Sequence, residues 1–160
     1  MKPSNQTTST IQENRERHEA AVANIEDNLK NQGATTQKEV TNHALDKNGD
    51  TVESRTDLVV KTDTPLDVPQ GHTANALRPA SNIKTKEEHL APNPVTQITP
   101  DSTGKAQIEV KTGNADLTNN QKNNYKEATK GNATGVGDNA ERIELKDDVM
   151  PTTVYEIKPD

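Results

Sequence analysis

The chain has 160 residues, a length that suits one domain better than two. Only 28% of the residues are hydrophobic, Phe and Trp are absent, Tyr125 and Tyr155 are the sole aromatics and the formal charge is −6, a balance that leans toward disorder and leaves material for one thin core. The absence of cysteine excludes disulfides and thiolate-zinc sites, the lack of a long apolar run excludes a membrane segment, and the acidic balance argues against a broad nucleic-acid footprint, though not against a small site where bound cations reverse the field.

Ile11, His18, Val22, Ile25 and Leu29 recur at helical spacing and Gly33 follows, so the first element is an amphipathic helix. KEVTNHAL and TVESRTDLVVK then flank DKNGD, whose Asn48-Gly49 predicts a hairpin. DKNGD is a turn and not a calcium loop, because the later bidentate Glu is missing. Residues 63–92 scatter Pro65, Pro69, Pro79 and Pro92 without a period, which predicts a long loop or insertion with at most a helical turn at KEEHL. NPVTQIT and KAQIEVKT flank PDSTG, predicting a second hairpin. LTNNQKNNYKEATKG predicts a short helix capped by Thr118, with Gln121 completing a capping box and Leu117, Tyr125 and Ala128 packing it down. TTVYEIK is a last strand with Val154 and Glu156 opposite Tyr155 and Ile157. The order implies a layered α/β (α+β) domain spanning 1–160.

Chemistry concentrates in QIEVKTGNADLTNNQ. Side chains two apart on a strand share a face, so Glu109 and Lys111 point together while Ile108 and Val110 face the other layer. A carboxylate beside an ammonium is the least needed to hold a divalent cation and steady a water attacking phosphate. Solvated pairs of this type are common on exposed strands, so Glu-x-Lys gains meaning only in context. Asp57 in SRTDLVV is another lone acid on an apolar strand. Asp101 in ITPDSTG places a literal Pro-Asp before Glu109, but Asp-Ser-Thr-Gly is turn chemistry at a hairpin tip, so Asp57 is preferred. The histidines, His18, His43, His72 and His89, show no paired ligand spacing and receive no role. Gly135 and Gly137 in TGVGDN form a loop able to approach phosphate, a weak signal without a preceding strand.

Asp57, Glu109-x-Lys111 and Leu117-Thr118-Asn119-Asn120-Gln121, behind a Glu-bearing helix, together resemble the PD-(D/E)XK or restriction-endonuclease-like nuclease superfamily, which implies a central mixed sheet flanked by helices, with a long insertion. More narrowly they resemble the C-terminal nuclease domains of bacterial polymorphic and contact-dependent inhibition toxins. The resemblance implies that Asp57, Glu109 and, in His18-Glu19-Ala20-Ala21-Val22, Glu19 hold a divalent metal, with Glu26 as the substitute helix acid. Mg²⁺ is the first choice and Mn²⁺ or Zn²⁺ the alternatives. Lys111 and Gln121 then act on the attacking water or the substrate. It also implies DNA as substrate, with tRNA second, a cognate immunity protein as partner, and secretion as the C-terminal part of a larger bacterial protein delivered into a target-cell cytoplasm. The alternatives from other classes are a non-catalytic binding or adhesin fragment and a largely disordered tail.

Overall fold

The structure, a computed structural model, describes residues 3–159, with side chains from residue 11 onward. Helix α1 (Pro3–Asn31) ends on Gly33, whose φ of +103° suits glycine. Strands β1 (Thr35–Leu45) and β2 (Thr51–Lys61) form the expected hairpin, closed where Asp46 Oδ1 accepts the N–H groups of Asn48 and Asp50. There follow β3 (Leu66–Asp67), β4 (His72–Ser81), β5 (Glu88–Val95), β6 (Gln97–Ile98), β7 (Lys105–Val110), helix α2 (Asn119–Thr129), β8 (Thr134–Val136), the short helix α3 (Gly137–Arg142) and β9 (Val154–Pro159).

Seven strands make one sheet in the order β5-β4-β9-β7-β2-β1-β8, while β3 and β6 pair separately. The β7–β9 ladder is parallel and the other ladders are antiparallel, so the sheet is mixed as expected. Each face buries its own apolar cluster. Val22, Ile25 and Leu29 of α1 pack with Leu58, Val60, Ile108, Val110 and Ile157 on one side. Tyr125 and Ala128 of α2 pack with Val40, Val59, Leu145, Met150 and Val154 on the other. The one thin core expected is therefore two, and the described chain is ordered despite its composition, because nearly every apolar residue of β7 and β9 lies against a helix-backed face. Ile11, placed on the buried stripe of α1 by its spacing, is instead 58% exposed, within a run of exposed residues 11–17.

Two expectations are overturned by the strands. Residues 63–92 are not a loop: β4 pairs with β9 on one side and β5 on the other, burying Ala74, Ala76 and Leu77. Its buried side chains are largely alanine, which carries little strand signal, and Pro79 sits beyond Ala76, where the β9 ladder has ended. KEEHL is not helical: the turn falls before it, at residues 83–85, closed by Asn82 N–H to Glu87 O, and Glu88, His89 and Leu90 already belong to β5. PDSTG does turn, with Asp101 N–H donating to Lys105 O, but its flanks do not form a hairpin: β6 pairs with β3, and β7 inserts between β2 and β9.

The hairpin carries one distortion that matters for the site. Leu58 belongs to the α1-side cluster, whereas Thr56, two residues away, donates to Gln107 Oε1 at 2.7 Å on the α2 side. An undisturbed strand would put both on one face. The switch falls at Asp57, opposite Glu39, which adopts φ +55°. That left-handed conformation is held by Asn139 Nδ2, which donates to the carbonyls of Lys38 and Glu39.

Candidate functional site

The β2–β7 ladder runs from Lys61↔Lys105 to Leu58↔Ile108 and stops, so Thr51–Asp57 extend past β7 as a free edge. The two strands are bridged there by side chains. The N–H of Asp57 donates to Glu109 Oε1 at 3.3 Å, and the N–H of Val110 donates to Asp57 Oδ2 at 2.9 Å. The acids of two strands are thereby brought together at the point where the strands part.

Glu109 is the hub. It is only 3% exposed, yet each carboxylate oxygen is used: Tyr125 OH donates to Oε1 at 2.6 Å, Gln121 Nε2 donates to Oε2 at 2.8 Å, and Lys111 Nζ stands 3.4 Å from Oε2. Lys111, itself buried, also donates to Asp116 O. Burial, and then the Asp57 charge, push Glu109 up to about 7, against the opposing pull of Tyr125 and Lys111. Burial and the adjacent Glu109 carboxylate in turn push the Tyr125 phenol well above its ordinary value.

Gln121 serves two functions at once. Its Oε1 accepts the N–H of Thr118, completing the capping box of α2, while its Nε2 reaches Glu109. Asp57, Glu109, Lys111 and Gln121 thus meet, as the sequence led one to expect. Glu19 does not join them: it is exposed, and among the described residues no hydrogen bond links it to the others. The α1 residue that reaches the site is His18, whose Nε2–H is shared between Asp57 Oδ2 at 3.2 Å and Val110 O at 3.1 Å. Glu26, the substitute acid, is occupied elsewhere, accepting from Thr36 Oγ1 and pairing with Lys30. Asp101 accepts from Thr103, Lys105 and Thr152, and those bonds hold its carboxyl below the ordinary value although burial opposes them, which makes it a turn residue.

His18 and Tyr125 were missed as site residues, though each left a signal. His18 lies four residues before Val22 and seven before Ile25 on the buried stripe, a polar group where an apolar one belongs. Tyr125 lies four residues after Gln121 and so shares its helical face.

For a divalent cation the donors are two carboxylates and the main-chain oxygen of Val110, hard oxygen ligands of the kind Mg²⁺ or Mn²⁺ takes. An imidazole N–H lies between two of those oxygens, Asp57 Oδ2 and Val110 O, at a spot where positive charge is welcome. Asp57 Oδ1 accepts no hydrogen bond among the described residues, and the repulsion between the two acids is the kind a cation relieves. No group of three or more His, Cys, Asp or Glu side chains able to hold a metal occurs among the described residues, so the fit rests on this smaller set.

A cleft of about 350 Å³ opens beside Asp57 and Gln121, between the free edge of β2 and the first turn of α2. Comparison with family models, curated proteins and solved structures finds no match for this chain. No described helix is long and apolar enough to cross a membrane.

Proposed function

We propose that the chain is a divalent-metal-dependent nuclease of the PD-(D/E)XK type, hydrolysing phosphodiester bonds of DNA, with tRNA as the alternative substrate. The observation that supports this most is the convergence of three residues on one carboxylate: Asp57, Lys111 and Gln121 all touch Glu109, from two strands and a helix. A cation held by Asp57, Glu109 and Val110 O would polarise a phosphoryl oxygen and lower the pKa of the attacking water.

The rest of the chemistry belongs to the chain. Lys111 holds an ammonium in a buried setting beside Glu109, where it opposes the negative charge that grows on the phosphoryl oxygens. Tyr125 and Gln121 fix the rotamer of Glu109 from either oxygen, so little reorganisation is needed when substrate arrives. The exposed side of the cleft lets a long polymer enter laterally, which an enclosed pocket would not. By the same reading the chain is the toxic C-terminal module of a larger secreted bacterial protein, acting in the cytoplasm of a target cell and neutralised by a cognate immunity protein. At a charge of −6 that partner presents a basic patch.

The test incubates the protein with plasmid DNA and with total tRNA, with Mg²⁺ and with chelator. Wild type cleaves one of them only with the cation, and Asp57→Asn, Glu109→Gln and Lys111→Met each lose at least about a hundredfold. Full activity in Glu109→Gln ends the nuclease reading. A wild-type chain inert toward both polymers in every divalent cation favours a non-catalytic binding fragment.

A further inference from the structure

Helix α1 brings an imidazole to the site where the resemblance implies an acid. Residues 11–17 are exposed, and at His18 the helix meets the sheet. Val22 and Ile25, one and two turns further on, are buried in the cluster that holds Leu58 and Val110, so the ring is carried by the docked part of the helix.

His18 Nε2 lies 3.2 Å from Asp57 Oδ2 and 3.1 Å from Val110 O. Two ligands that sit side by side on a cation, each about 2.1 Å from it, stand about 3 Å apart in octahedral and about 3.4 Å apart in tetrahedral geometry. The nitrogen therefore already keeps the spacing of a ligand beside both oxygens. The His18 side chain is 34% exposed and that of Asp57 19%, so the pair is within reach of water and of an entering ion. Glu109 engages both of its oxygens with protein donors, so a set made of Asp57, Glu109 and Val110 O gains from one further ligand.

We propose that His18 Nε2 is itself a ligand of the divalent cation, beside Asp57 and Val110 O, and that the site therefore prefers Zn²⁺ to Mg²⁺; that a cation belongs there rests on the nuclease reading. In the metal-free protein Nε2 carries the proton shared by the two oxygens. On binding, the neutral ring adopts its other tautomer, with the proton at Nδ1 and the Nε2 lone pair on the cation, so no proton is released. Imidazole nitrogen suits Zn²⁺, whereas Mg²⁺ takes hard oxygen ligands and gives up its waters reluctantly. An imidazole in place of a carboxylate from α1 also removes one negative charge from the set, which weakens the purely electrostatic hold on Mg²⁺.

Zn²⁺ and Mg²⁺ are titrated separately into metal-free ¹⁵N-labelled protein, read by calorimetry and by long-range ¹H–¹⁵N spectra of the imidazoles. One equivalent of Zn²⁺ should move the Nε2 signal of His18, assigned through its ring protons, while His43, His72 and His89 stay in place. Mg²⁺ should bind at least about tenfold more weakly. His18→Gln can still donate to Asp57 but has no ligating nitrogen, so it should lose at least about tenfold in Zn²⁺ affinity and leave Mg²⁺ affinity level. A ring that only positions Asp57 would lower both affinities alike. An unmoved His18 Nε2 signal at saturating Zn²⁺, equal losses for the two ions, or a preference for Mg²⁺ overturns the assignment. So does Zn²⁺ held equally well in His18→Gln, whether by the exposed His43–Glu53 pair or elsewhere. Zn²⁺ bound through His18 without cleavage of any nucleic acid leaves the assignment standing and ends the nuclease reading, whereas cleavage supported by Mg²⁺ and unchanged in His18→Gln does the reverse.

Discussion

Asp57 and Glu109 hold one another across the gap where β2 leaves β7, the main-chain N–H of Asp57 donating to Glu109 Oε1 at 3.3 Å. The Asp57 carboxylate is returned to the Glu109 strand through Val110 N–H at 2.9 Å. Two like charges are thus fixed close together by the backbone, and the more buried one carries the consequence.

Glu109 keeps its proton up to about pH 7 in the fold, whereas an ordinary carboxylate ionises near 4.5. Between those values the native state binds a proton that the unfolded chain has released, so stability declines as pH rises through this window. The loss is complete above it and is on the order of a few kcal/mol. Urea melts of metal-free protein at intervals from about pH 4.5 to about pH 7 should show the decline in wild type and a flatter profile in Glu109→Gln. Parallel profiles for the two would mean that Glu109 ionises normally. Added Mg²⁺ should raise the wild-type midpoint most at the upper end of the window, where both acids are charged.

Gln121 couples the cap of α2 to Glu109, and its two halves can be separated. Gln121→Ala removes both bonds and should cost about 1–2 kcal/mol. Gln121→Glu keeps an acceptor for Thr118 N–H but sets a third carboxylate against Glu109 Oε2. Its deficit relative to wild type should therefore be larger at neutral pH than at pH 5, where Glu109 is protonated. A pH-independent deficit in Gln121→Glu would show that the side chain serves only the cap.

What could be read from the sequence followed the strength of local signals. Asn48-Gly49, the Thr118–Gln121 box and the alternation in TTVYEIK each specify structure within a few residues, and all three appear as expected. Glu109 and Lys111 share a face because a strand forces it, and Asp57 meets them through a ladder break that no local pattern encodes. The failures are long-range. Alanines in β4 are weakly apolar on their own and become core only between β9 and β5. Glu19 and His18 are neighbours on one helix, and His18, which shares the buried stripe with Val22 and Ile25, is the one that reaches Asp57, an acid distant in sequence.

That misjudged segment yields a direct test. Read as an insertion, residues 63–92 could be exchanged for a short Gly/Ser linker without harm. As strands they bury Leu66, Ala74, Ala76 and Leu77 and supply the whole ladder to β9 on that side. The exchange should abolish cooperative melting, because β9 would lose its antiparallel partner and the α1-side cluster its edge. A cooperative transition in the shortened chain would show that the remaining strands fold without β4.

Gly135 lies within β8 and Gly137 opens α3, and they are needed for different reasons. Gly137 has φ +87° with nothing within 4 Å of an added Cβ, so its requirement is conformational. At Gly135 an added Cβ would lie 2.3 Å from Leu145 O, a main-chain atom that cannot swing aside. The segment is clamped there, since Gly135 N–H donates to Asp148 O and Asp147 N–H donates to Gly135 O. Gly135→Ala should therefore cost about 3 kcal/mol or more, lowering the melting temperature by roughly 6–12 °C. Gly137→Ala should cost about 1 kcal/mol, and Gly137→Asn should recover part of it because asparagine tolerates positive φ. Asparagine at 135 should rescue nothing, as it carries the same Cβ. Equal melting temperatures for Gly135→Ala and Gly137→Ala would mean that the Leu145 carbonyl yields, and that the 145–148 segment is held less tightly than its hydrogen bonds imply.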